Sequence, residues 1–172
     1  MCDKEHPVDA IKREINFCFD QNRPERDAAV DAKKRLECAR TTASEVEEVI
    51  QPLLKSAIAV CKSRSGIPWK DVESLPKPIR DANTFGVQCK AGEVYQSIPY
   101  FIAAIVAVEP NRQELILSVE RVTAAPSLTP RNETKRIPLA DQYDLNAIGE
   151  WYRDQFAKYV AECESRCSKN PA

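Results

Sequence analysis

From Ala29 to Val60 the small and apolar residues fall at Ala29, Ala32, Leu36, Ala39, Ala43, Val46, Ile50, Leu53, Ala57 and Val60, with spacings of three and four in unbroken alternation. A helix turns once every 3.6 residues, so this alternation keeps all of them on one narrow stripe, the pattern of a long helix packed along a seam. Lys33, Arg35, Arg40, Thr42 and Glu47 flank the first half of the stripe, whereas Val49, Leu54 and Cys61 flank the second. The widening predicts that residues 24–45 project as an arm and that residues 46–61 enter a globular core. Alanines permit close helix approach but bury little area, at roughly 25 cal/mol per Å2, so the seam associates modestly without a bulky partner. Leu36, Ala39, Ala43 and Val46 are its candidate interaction residues. Pro52 lies inside the pattern and costs a straight helix about 3 kcal/mol, so a kink or a restart is expected there.

A shorter helix precedes the long one. Pro7 suits a first helical turn, and Val8, Ile11, Ile15 and Cys18 follow on one face, which predicts a helix over about 7–20. Asn22-Arg23-Pro24 breaks it, and Glu25 and Asp27 face the positive end of the next helix, over about 24–62. Residues 1–62 therefore read as a helical arm. Gly66, Pro68, Pro76 and Pro78 mark residues 63–84 as a connector, with one short helical turn over 69–75.

Strands follow. Residues 85–90 and 93–97 flank Ala91-Gly92 as a short hairpin, and residues 100–108 and 114–123 flank a turn at Pro110-Asn111 as a longer one. The run from Tyr100 to Val108 is apolar throughout, which predicts a central strand covered on both faces. Leu115, Leu117 and Val119 alternate with Ser118 and Glu120, so the next strand has one solvent face. Residues 124–133 read as a loop, and 134–139 as an edge strand interrupted by Pro138. Asp141 and Asp144 are candidate caps for a last helix whose Leu145, Ile148, Tyr152, Phe156, Tyr159, Val160, Cys163 and Cys167 recur on one face. The fold class is α+β: an N-terminal helical hairpin with a long heptad-patterned helix, an antiparallel sheet of three to five strands, and a C-terminal helix packed on it. Residues 85–172 share one core with 46–61.

Charge excludes little and composition more. The 25 basic and 26 acidic side chains nearly cancel, giving no global field to attract nucleic acid or anionic lipid. Residues 1–7 are charged, unlike a signal peptide, and the longest apolar run falls far short of the roughly 20 residues that span a bilayer as a helix. No membrane partner is expected, and a cytoplasmic, reducing location is. The seven cysteines, Cys2, Cys18, Cys38, Cys61, Cys89, Cys163 and Cys167, are scattered and odd in number, so they read as free thiols. The Asn132-Glu133-Thr134 sequon is accordingly read as unmodified.

No catalytic residue, cofactor site or metal ligand set is assigned. The four glycines are isolated, which removes the usual phosphate-cradling loops, and the one histidine, His6, leaves nothing from which to build a triad. Cys163 and Cys167 share a helix face as a thiol pair, with apolar packing the plainer reading. Lys33, Lys34 and Arg35 form one basic cluster and Arg131, Lys135 and Arg136 another, both interleaved with acids. Trp69 and Trp151 are candidate interface anchors. The leading expectation is a non-catalytic interaction or assembly module that uses its arm for self-association or a protein partner. An enzyme or ligand-binding protein with a pocket between sheet and helices is one alternative, and a nucleic-acid-associated factor using the basic clusters is another.

Overall fold

A computed structural model describes residues 11–17, 23–65, 67–76, 80, 83–91, 100–122 and 131–167. The chain divides at Arg35 and Leu36 into two compact units. The first contains helix α1, described over 11–17, and the opening turns of α2, Arg23–Ser65. The second holds the rest of α2, the strands β1 (Glu73–Ser74), β2 (Thr84–Ala91), β3 (Tyr100–Glu109), β4 (Glu114–Val122) and β5 (Arg131–Pro138), and α3 (Leu145–Cys167). The fold is α+β.

Helix α2 begins where the sequence places it, with Glu25 in its first turn and Lys62 and Arg64 in its last, each matched to the dipole. It runs through Pro52 without the anticipated restart. Pro52 is exposed, so the carbonyl it leaves without an intrahelical donor has water within reach. The core begins earlier on this helix than the flanking residues suggest. Ala39 and Ala43 are completely buried alongside Val46, Ile50 and Leu54, and Leu36 packs against them, so the stripe enters the body near Leu36 and not at Val46.

The sheet is antiparallel and ordered β1-β2-β3-β4-β5, every strand beside its neighbour in sequence. Between β3 and β4 a short 3-10 turn, Pro110–Arg112, ends at Gln113, whose left-handed conformation (φ 54°) turns the chain into β4. Register then sorts the side chains. Val87 and Cys89 oppose Ala104 and Ile102, which oppose Val119 and Arg121. Val87, Cys89, Ile102, Ala104, Val106, Leu115, Leu117 and Val119 join α2 and α3 in a single core cluster. On the other face Phe101, Ile105 and Ala107 are only partly buried and do not join it. The double cover expected for β3 is thus replaced by one helical layer, although β3 is central as expected.

The connector departs from its predicted helical turn. Trp69 bridges to Ala91, and the Lys70 and Leu75 amides donate to the carbonyls of Lys90 and Gly86, so the segment runs extended beside β2 and ends as β1. Long-range pairing has taken the donors a helical turn would have used. β2 pairs with β3 directly, and the strand predicted over 93–97 lies outside the described residues. β5 starts at Arg131, so residues 131–133, read as loop, are strand. It is an edge strand whose residues, Ile137 apart, are exposed, and its charges and terminal Pro138 suit an unpaired edge.

Helix α3 is capped by Asp144, whose Oδ1 accepts from the amides of Asn146 (2.9 Å) and Ala147 (3.1 Å). Ile148, Tyr152, Phe156, Tyr159 and Cys163 face the core as their spacing predicts. Two of them also reach sheet backbone. The Tyr152 hydroxyl donates to the Ile105 carbonyl at 2.6 Å, and that of Tyr159 to the Val122 carbonyl at 3.4 Å.

Candidate functional site

The four seam residues have separate fates from the arm they were assigned to. Ala39, Ala43 and Val46 have no exposed surface, and Leu36 is half-buried against the same core. Their apolar stripe is satisfied within the body, by the sheet and α3. Glu47, one position beyond Val46, is also buried, where its carboxylate accepts from Ser74 Oγ (3.0 Å) and Arg80 Nη2 (2.5 Å). That pair ties α2 to the β1 edge.

Trp69 is an internal anchor. It is 6% exposed, and its ring lies 5.8 Å from that of Tyr100 and 6.0 Å, edge-on, from that of Tyr159. Trp151 is half-buried and edge-on to Tyr152 at 4.9 Å. Trp69 is thus buried in the core, whereas Trp151 keeps part of its surface exposed. Of the second basic cluster, Arg136 pairs with Glu114 (2.9 Å) and Arg131 with Glu162 (3.8 Å), so two of its three charges face carboxylates. Lys33, Lys34 and Arg35 are exposed in the first unit.

Exposed apolar side chains point elsewhere. Among the described residues, Ile11, Ile15, Phe17 and Val30 of the first unit are each more than half exposed, and Val60 of the second is 37% exposed. Ile11 and Ile15 are four apart and share a face of α1. The Ile11 and Ile15 spacing is visible in the sequence, whereas Val30 lies off the stripe and carries no periodic signal. No family model matches this chain, and neither a curated protein nor a solved structure matches it.

Thiol chemistry is internal too. Cys61, Cys89 and Cys163, from α2, β2 and α3 respectively, are buried thiols outside any disulfide. The Cys61 thiol is pulled below its ordinary value by a hydrogen bond with Cys163, against the opposing effect of burial. Cys163 therefore finds its thiol partner on α2, and the side chain of Cys167, its predicted partner, lies outside the described residues. Burial pushes Cys89 up to about 11 and raises Tyr152 and Tyr159 strongly. Raised pKa values at buried, apolar positions describe neutral packing groups. No cluster of three or more histidine, cysteine or acidic side chains among the described residues has the arrangement to hold a metal ion.

Proposed function

We propose that this chain is a non-catalytic assembly module that self-associates through its N-terminal unit, residues 1–35. The supporting observation is the exposure of Ile11, Ile15, Phe17 and Val30, each of which leaves more than half its surface in water. Burying one such side chain is worth about 1.5–3 kcal/mol, so covering several stabilises an association substantially. The contact residues of this reading are Ile15 and Val30, and not Leu36 or Val46. Leu36→Asp and Val46→Asp place a charge against or inside the body's own core and unfold it, whatever the oligomeric state.

The experiment is solution mass by light scattering, with thermal unfolding alongside. The wild-type chain is expected to be an oligomer, and Ile15→Asp combined with Val30→Asp to give a single-chain mass with an unchanged melting transition. A single-chain mass for the wild type, or an oligomer that survives both substitutions, overturns the reading. The enzymatic alternative requires a pocket between sheet and helices, and three cavities lined by described residues take no lining residue from the sheet.

A further inference from the structure

We infer that the furrow between α2 and α3 on their solvent side docks a short amphipathic helix of a protein partner, one that sets a carboxylate against Arg153. Two cavities share Leu53 and Arg153 and so form one furrow, of about 500 Å3 on one side of that pair and about 460 Å3 on the other. Leu53, Ala57, Val60, Phe156 and Val160 line the first. Val60, at 37% exposure, is the exposed large hydrophobic found in the second unit among the described residues. Along α3 the lining runs from Leu145 in the second cavity to Glu164 in the first. At a rise of 1.5 Å per residue they are about 28 Å apart along α3, the length of roughly five helical turns.

The occupant follows from hydrogen bonding, sterics and charge. An extended peptide would lay unpaired amides and carbonyls on apolar walls, with no strand edge among the lining residues to receive them, whereas a helix satisfies its own backbone. Ala57, Ala157 and Ala161 are small enough to let a third helix approach α2 and α3 closely. At the end of the first cavity Arg64 and Glu164 neutralise each other as an ion pair. Arg153 is exposed, makes no ion pair among the described residues, and sits where the two cavities meet. Glu150, one turn before it, lines only the second cavity. The fitting partner helix carries apolar residues at i, i+3, i+4 and i+7, an acidic residue over Arg153, and no acidic residue over Glu150.

This surface lies in the body and extends the assembly reading without depending on the arm. The probes are three labelled helical peptides of about 14 residues, just long enough to hold a helix when stapled. One has a leucine stripe with a flanking glutamate, one has lysine in place of the glutamate, and one has serines in place of the leucines. They are titrated by fluorescence anisotropy into the full chain. The acidic peptide is expected to bind, the serine peptide not to, and Arg153→Glu to reverse the preference from the acidic to the lysine peptide. Ala157→Trp, which fills the furrow from an exposed position, is expected to weaken binding at least tenfold, and Val60→Gln serves if that variant does not fold. Absence of binding by the acidic peptide, or binding indifferent to both the charge reversal and the filled furrow, overturns the proposal. Binding is also expected to persist in the chain carrying Ile15→Asp and Val30→Asp, and its loss there would move the site to the arm and overturn the furrow. A wild-type oligomer reduced to single chains by Ala157→Trp would name a second copy as the occupant and overturn it equally.

Discussion

Alkaline titration reads the packing around Tyr159 directly. Cys89, Tyr152 and Tyr159 are neutral when protonated, and burial makes the folded chain hold those protons more tightly than the unfolded chain does. Each contribution is complete below the unfolded pKa and is lost as pH rises toward the folded one. For Cys89 that window runs from its ordinary 9.0 to about 11. The corresponding loss is about 2–3 kcal/mol, to which the tyrosines add at higher pH. Urea denaturation midpoints are therefore expected to hold near neutral pH and fall above pH 9, with a shallower fall in Cys89→Val; an identical fall would remove Cys89 from the account. Tyr152, Phe156, Tyr159 and Cys163 were legible in the sequence because three aromatic residues and a cysteine at helical spacing have one economical place to go. Ala39 and Ala43 were not, since a narrow alanine stripe looks the same whether a helix or a sheet lies against it. Arg121 continues the inward alternation of Leu115, Leu117 and Val119 and stays buried by pairing with Glu162 at 3.2 Å, which no spacing rule announces.

At the scale of elements, β2 fits closely against its neighbours at Gly86. A Cβ added at Gly86 would stand 2.3 Å from the Ala104 carbonyl oxygen on β3 and 2.9 Å from Leu75 Cδ1. Backbone cannot give way cheaply there, so Gly86→Ala is expected to lose about 2–4 kcal/mol of stability. It should also speed hydrogen exchange at the Leu75 amide, which donates to the Gly86 carbonyl. Unchanged melting and unchanged protection would mean that β1 and β2 are not joined as described. The two long helices, the β3–β4 hairpin and the capped start of α3 could be read from periodicity and local punctuation, which act within a few residues. β1 could not, because it exists through bonds to a strand further along the chain, and two residues carry no pattern. The apolar run of β3 misled in one respect: Ile105 and Ala107 resemble core residues, yet they are only partly buried and lie outside the core cluster.

The two units imply unequal consequences for truncation. Removing residues 142 onward takes Ile148, Tyr152, Phe156, Tyr159 and Cys163 out of the core cluster. The product is expected to be insoluble or molten, whereas a chain lacking residues 1–20 should keep the cooperative melting transition of the body. Solubility and thermal unfolding of the two truncations side by side decide it, and a C-terminal truncation that melts cooperatively would mean the core is misassigned. The position of α3 also has a bearing on how the protein is made. Translation delivers α3 after every strand it covers, and the strands, being neighbours in sequence, can pair as they emerge. On the ribosome the nascent chain therefore carries a finished sheet roofed on its core face by α2 alone, with Leu115, Leu117 and Val119 short of their final partner. Until α3 arrives such a chain exposes the apolar face of its sheet, and a stall before residue 145 is expected to leave it aggregation-prone.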